Sequence, residues 1–213
     1  MTLFTEATAV AAKDLRIEAR GHRIAGSVLP LAGALIVAFA VVAAPDPART
    51  AQTVPALGWI TVVFATVLAL KRAHDAESED GALEGLLLAP VRRSAIYLGK
   101  VLALATELLV VQAALLAVAA VFAGPPSVAG LAATILGTAG LAAVGALFGL
   151  MTESAHARGA TLPLLMLPAA APVPVFAIKA GEGHAGLWLP LLLLFDAVVL
   201  AVGALAARHV VED

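Results

Sequence analysis

The sequence predicts an all-α membrane protein with six transmembrane helices, and composition and apolar run length carry that prediction. Of the 213 residues, 62% are hydrophobic and 13% are charged, with a mean hydropathy of +1.00. Soluble domains hold about 45–50% apolar and about 25% charged residues. A soluble fold of this length could not bury so much apolar surface, because its surface-to-volume ratio is too high. Unbroken apolar runs, instead of ten-residue alternation, favour helices over a β-barrel.

Six apolar stretches are long enough, or nearly so, to cross the hydrocarbon core, which takes about 20 helical residues. They are Ile24–Ala44, Val54–Leu70, Ile96–Ala123, Val128–Met151, Ala160–Ile178 and Leu187–Ala207. The second stretch is short, and the third is long enough to tilt. We therefore expect a single six-helix membrane domain over residues 24–213, preceded by a separate segment over residues 1–23.

Basic residues predict that both chain termini are cytoplasmic. In that orientation only Arg49 and Lys179, of 13 basic residues, lie on the outer side, as the positive-inside rule requires. Trp59 and Trp188 then fall near the outer ends of their helices, where an aromatic belt is found.

The first 23 residues predict an amphipathic helix on the cytoplasmic membrane surface. Basic residues recur every three or four positions, at Lys13, Arg16, Arg20 and Arg23, which places them on one helical face. Phe4, Val10, Ala11 and Leu15 supply the apolar contacts. A frayed charged tail is the alternative. Because charges are spread through this region, we expect no cleavable signal peptide.

Several functions are excluded by what the sequence lacks. A net charge of −2 gives no basic footprint for nucleic acid. Without cysteine there are no disulfides and no thiolate metal sites, and the five histidines lie in separate segments, so we expect no metal site. The phosphate loop G-x-x-x-x-G-K-[ST] is absent, as are G-x-S-x-G and H-E-x-x-H. We therefore expect no ATP hydrolysis through a phosphate loop.

Two acids and a set of prolines stand out within the apolar runs. Glu107 and Asp196 each lie about 16 Å from the inner end of their helix at 1.5 Å per residue, near the midplane. Acids at that depth face a bundle interior or cavity, and neutral protonated forms are plausible there. They predict either a polar seam coupling helices between subunits or hydrogen bonds within one subunit.

Prolines and glycines mark the last spans. The fifth carries Pro163, Pro168, Pro172 and Pro174, which predict kinks. We expect Pro172 and Pro174 to begin a non-helical or re-entrant piece that leads to an outer loop, Lys179–Gly186. The fourth carries small residues that allow close helix contact, at Gly137, Gly140, Gly145 and Gly149.

The loop over residues 71–95 holds the densest chemistry. Leucines at Leu83, Leu86 and Leu87, with Pro90 as a stop, predict a short amphipathic helix from about Asp80 to Ala89. Three interpretations compete. One is a solvated acidic loop. The second is a metal-dependent lipid phosphotransferase, whose acidic motif fits only loosely and lacks its second acidic pair. The third is a helix that docks on a cytoplasmic partner.

Two segments of the chain carry distinctive patterns. The pattern E-x-x-D-G-x-L-E-x-L-L-L-x-P falls on Glu77, Asp80, Gly81, Leu83, Glu84, Leu86, Leu87, Leu88 and Pro90. The pattern L-P-L-L-x-L-P-x-x-x-P falls on Leu162, Pro163, Leu164, Leu165, Leu167, Pro168 and Pro172. Both segments resemble the heme exporter protein B (CcmB) family. Together with the length and the six predicted spans, the resemblance covers nearly the whole chain.

The resemblance implies a non-catalytic, ABC-2-like permease subunit of cytochrome c maturation in the bacterial inner membrane. Its expected partners are a CcmA-like ATPase, a second copy of itself, CcmC-like and CcmD-like membrane subunits and a CcmE-like heme chaperone. ATP would be bound by the ATPase, heme would be handled by the complex, and no cofactor would be bound directly. The ATPase-docking residues would be Glu77, Asp80, Gly81, Leu83, Glu84, Leu86, Leu87 and Pro90. A small ABC-2-type exporter of lipid or drug is the alternative.

Overall fold

The computed structural model describes residues 2–21, 46–80, 92–154 and 162–209, together with isolated positions between 30 and 42. Every regular element in those residues is helical. The elements are α1 (Leu3–Gly21), α2 (Pro47–Asp80), α3 (Arg93–Ala123), α4 (Val128–Ser154), α5 (Leu162–Ala170), α6 (Pro172–Lys179) and α7 (Ala185–His209). A turn of π-helix, Ala180–His184, joins α6 to α7. The predicted first span, Ile24–Ala44, lies almost entirely outside the described residues.

Four helical stretches of the described residues are long and apolar enough to cross a membrane. They are Thr53–Lys71, Arg93–Ala123, Val128–Met151 and Leu165–Ala207. The first three confirm the predicted second, third and fourth spans, with boundaries that differ by at most three residues. The fourth stretch is 43 residues long and contains most of the predicted fifth span and all of the sixth.

The 43-residue stretch is a hairpin, because the chain reverses at the π-helical turn. Gly183 has a φ of +99°, a conformation that glycine adopts without the steric cost of a side chain. The ring centroids of Phe176 and Trp188 lie 5.5 Å apart. In a continuous helix, residues twelve positions apart would be separated by about 18 Å. One arm of the hairpin is therefore α5 with α6, and the other is α7.

The predicted non-helical piece after Pro172 is wrong. The helix α6 begins at Pro172 and includes Pro174, because proline is tolerated in the first helical turn, where no N–H donor is needed. Of the predicted kinks, the structure breaks the helix at Ala171, directly before Pro172. Pro168 lies inside α5, and Pro163 is its second residue.

The helix α2 is longer than the sequence analysis predicts. It begins after Asp46, whose Oδ1 accepts a hydrogen bond from the Ala48 N–H at 3.1 Å, as a helix cap does. It continues ten residues beyond Leu70 to Asp80, where the sequence analysis places a loop. No glycine or proline interrupts that extension, and its Ala, Glu, Lys and Arg residues favour helix.

The centre of the bundle is α4, which contacts α2, α3, α5, α6 and α7. Leu141, Ala142 and Ala143 at its middle are fully buried. Its glycines bring neighbouring helices close, as predicted. A Cβ added at Gly145 would lie 2.8 Å from Leu104 Cδ2, and one added at Gly137 would collide with the Trp59 ring. Small residues thus allow α4 to pack closely against five other helices.

Candidate functional site

The predicted docking segment lies mostly outside the described residues. Glu77 and Asp80 lie in the last turn of α2, and nothing is described of their side chains. Gly81, Leu83, Glu84, Leu86, Leu87 and Pro90 are not described. The description resumes at Arg92, whose backbone N–H donates to Glu6 Oε2 at 3.2 Å. Arg92, two residues beyond the end of the docking segment, is therefore hydrogen-bonded to α1.

The helix α1 packs along the first half of α3. Ala7, Val10 and Ala11 are buried, while Phe4 is 71% exposed. The closest approach is at Gly99, where an added Cβ would lie 2.6 Å from Val10 Cβ and 2.8 Å from the Ala7 carbonyl oxygen. Sequence reasoning predicted an amphipathic helix here and missed the helix on which its apolar face packs. A glycine at the start of an apolar run was the available signal.

Gly99→Leu is expected to release α1 from α3, because the leucine would occupy the space that Val10 fills. The chain has no cysteine, so a single Ala7→Cys reports on this contact. Maleimide labelling of Ala7→Cys should rise at least about tenfold when Gly99→Leu is added, as buried thiols are protected from reagent. Phe4→Cys is the matched control and should label equally in both backgrounds. Equal protection of Ala7→Cys in both backgrounds would contradict the packing of α1 on Gly99.

Asp196 lies in α7 against α4 and faces protein. Its side chain is 4% exposed, and a Cβ added at Gly140 would collide with Asp196 Oδ1. Val173 of α6 approaches the same glycine, with its Cγ2 at 3.4 Å from such a Cβ. Neither carboxyl oxygen of Asp196 has a hydrogen-bond partner among the described residues. The acid therefore occupies the space that the missing side chain of Gly140 leaves, where α4, α6 and α7 meet.

Glu107 faces a different neighbour. Its carboxyl group is close enough to Asp14 and Glu18 of α1 for electrostatic interaction. Glu107 lies beside α1 and Asp196 lies beside α4, so the structure does not bring the two acids together. The two acids therefore have separate environments among the described residues, and a polar seam that couples helices between subunits stays a prediction.

Tyr97 is a buried polar residue that the sequence analysis did not single out. It is fully buried, and its hydroxyl donates to the Ala143 carbonyl oxygen at 3.1 Å and lies 3.4 Å from that of Val199. Its ring fills the space above Gly203, where an added Cβ would collide with the ring. Tyr97 therefore joins α3, α4 and α7. Its being the only tyrosine of the chain, within an apolar run, was the available signal.

A cavity of about 300 Å³ lies at the end of the bundle that carries the π-helical turn. Its deeper wall includes the buried residues Val54, Trp59, Gln112, Leu115 and Thr134. Its mouth includes residues 124–127 of the α3–α4 loop, with Gly181 and Glu182. We call it the turn-end cavity. The α3–α4 loop, the hairpin turn and the beginning of α2 therefore meet at one end of the bundle.

No group of three or more His, Asp or Glu side chains in the described part of the chain could hold a metal ion. The described sites are therefore built from helix packing, one buried acid and one cavity. A chain whose described elements are all helical, with several apolar helices long enough to span a bilayer and polar groups buried between them, is a multi-pass membrane protein.

Comparisons with known proteins place the chain within this class. A family model described as CcmB protein matches residues 5–213, so the chain belongs to the CcmB family. Heme exporter protein B of Paracoccus denitrificans is 31% identical, with 91% of each chain covered. Heme exporter protein B of Rhodobacter capsulatus is 30% identical over 87% of this chain and 88% of the relative. That of Bradyrhizobium diazoefficiens is 27% identical over 95% and 96%.

Proposed function

We propose that the chain is the transmembrane permease subunit of an ABC transporter complex for cytochrome c maturation in the bacterial inner membrane. It couples ATP hydrolysis by a partner subunit to heme export or to release of a heme-loaded chaperone. The observation that carries the proposal is the family match over residues 5–213, together with relatives named heme exporter protein B that align over most of their length.

The proposed architecture has six spans with both termini cytoplasmic and an ABC-2-like arrangement. The hairpin supports two crossings within the stretch Leu165–Ala207, since each arm is a separate helix on either side of Gly183. The apolar stretch of residues 24–44 predicts the remaining crossing. In this orientation the turn-end cavity opens outward, and α1 packs along the inner half of α3, from Gly99 towards Glu107.

The proposed motor is a separate CcmA-like ATPase, because this chain has no phosphate loop. Two copies of each subunit assemble with CcmC-like, CcmD-like and CcmE-like partners. The segment Glu77–Pro90 contacts the ATPase and offers leucines on one helical face, with Glu77 and Glu84 as charged groups. Arg92 is hydrogen-bonded to Glu6 of α1, and α1 packs on α3. These contacts support a role of the segment in transmitting conformational change, because a movement of the segment would also displace α1.

Leu83→Asp is expected to reduce the recovery of the ATPase with the tagged permease at least about tenfold, because an unpaired charge would be buried in the contact. Maturation of c-type cytochromes, measured by heme staining, should fall with it. Leu88→Asp makes the same change on another face of the predicted helix and should leave both readings near the native level. The purified chain alone should hydrolyse no ATP.

Intact ATPase recovery with Leu83→Asp would contradict the docking role. Normal cytochrome maturation in cells lacking the permease gene would contradict the heme function and favour a small ABC-2-type exporter of lipid or drug.

A further inference from the structure

The turn-end cavity is elongated. It extends along α3 from Gln112 to Ala123, a distance of about 16 Å at 1.5 Å per residue. Its volume is about 300 Å³. An apolar cavity of about 150 Å³ holds one benzene molecule, so this cavity holds about twelve carbon atoms. A single hydrocarbon chain of that size fits this volume and this length.

The chemistry of the wall changes from apolar inside to charged at the mouth. Val54, Leu115 and Ala177 give a buried apolar lining. Glu182 borders the mouth, and its Oε2 accepts a hydrogen bond from Lys179 Nζ at 2.8 Å. Both side chains remain partly exposed, at 48% for Lys179 and 39% for Glu182. One cation beside one anion complements a headgroup that carries one charge of each sign. A net-anionic headgroup would bring a second anion to this pair without a second cation.

We infer that the turn-end cavity binds one acyl chain of a zwitterionic phospholipid from the bilayer leaflet at that end. The chain lies along α3, and the headgroup lies at the Lys179–Glu182 pair. This inference is independent of the proposed function, because it requires neither an ATPase nor heme.

The floor of the cavity supplies a discriminating test. Gln112 is 4% exposed and presents an amide to an otherwise apolar interior. The hydroxyl of its neighbour Thr134 is already engaged, since it donates to the Gly130 carbonyl oxygen at 2.9 Å. A hydrocarbon chain gains nothing from the amide, so Gln112→Leu should tighten acyl-chain binding. A ligand with a polar inner end would bind more weakly to that variant.

Tryptophan quenching measures the occupancy directly. The chain has two tryptophans, so Trp188→Phe leaves Trp59, in the cavity wall, as the only one. The full-length Trp188→Phe protein in detergent micelles is titrated with phosphatidylethanolamine brominated on one acyl chain. We expect saturable quenching of Trp59 at a low mole fraction of lipid. Phosphatidylglycerol with the same brominated chain should need at least about fivefold more lipid, because its head is anionic.

Two matched variants separate the cavity from the surrounding micelle. Ala119→Phe fills the cavity and should abolish saturable quenching. Ala117→Phe makes the same change on the exposed face of α3 and should leave quenching unchanged. Ala123→Phe, nearer the mouth, provides a second blocking variant, and thermal unfolding of each variant establishes that it is folded.

Four results would overturn the inference. Equal quenching in Ala119→Phe and Ala117→Phe would mean that Trp59 contacts bulk lipid. Absence of quenching in the Trp188→Phe protein with an unaltered cavity would mean that no lipid chain enters the cavity. Weaker binding by Gln112→Leu would require a ligand with a polar inner end. Saturable quenching by protoporphyrin IX that Ala119→Phe abolishes would assign the cavity to a porphyrin.

Discussion

Tyr97→Ala should lower the free energy of unfolding by about 3–5 kcal/mol, the range for removing a large buried aromatic side chain. The ring is fully buried between three helices and occupies the space above Gly203, so its loss leaves a cavity between those helices. Tyr97→Phe keeps the ring and removes only the hydroxyl bond to Ala143, so its cost should be about 1 kcal/mol. Unfolding by denaturing detergent, followed by helical circular dichroism, measures both.

Phe122→Ala is the control for the tyrosine series, because Phe122 is on the same helix and is 36% exposed. Its effect should be well below that of Tyr97→Ala. Equal losses for the two variants would show that Tyr97 does not hold α3, α4 and α7 together.

Gly140→Leu should disrupt the junction of α4, α6 and α7, with a loss of about 1–3 kcal/mol or more from overpacking. The physical reason is that the Asp196 carboxyl group already occupies the space that a side chain at position 140 needs. Asp196→Ala empties that space. The leucine at position 140 should therefore cost less in the Asp196→Ala background, by a coupling energy of about 0.5–3 kcal/mol.

The four unfolding free energies of native protein, two single variants and the double variant measure this coupling. Gly186→Leu is the control, because no atom lies within 4 Å of a Cβ added there. Additive effects of Gly140→Leu and Asp196→Ala would contradict direct contact between the two positions.

Asp196 has no hydrogen-bond partner among the described residues, and a buried polar group without a partner is costly. It lies where α4 meets both arms of the hairpin, so a shift between those helices would change the environment of its carboxyl group.

The membrane spans and the class of protein could be predicted from the sequence. They depend on the length of the apolar runs and on the free energy of transferring apolar side chains into the bilayer. The stretches Val54–Leu70 and Val128–Met151 needed no tertiary information, since about 20 apolar residues suffice to cross a bilayer. The amphipathic pattern of residues 3–21 likewise predicted α1. The ATPase-docking residues, including Leu83 and Pro90, stay a prediction.

Contacts between helices could not be predicted in the same way. Three glycines each face a side chain of another helix: Gly140 faces Asp196, Gly203 faces Tyr97 and Gly99 faces Val10. These pairings depend on how helices that are distant in sequence rotate and cross. Local sequence encodes a helical face, whereas the partner of that face is set by packing the whole bundle. The turn-end cavity arises for the same reason, because its wall combines α2, α3, α4 and the hairpin turn, which meet only when the chain folds.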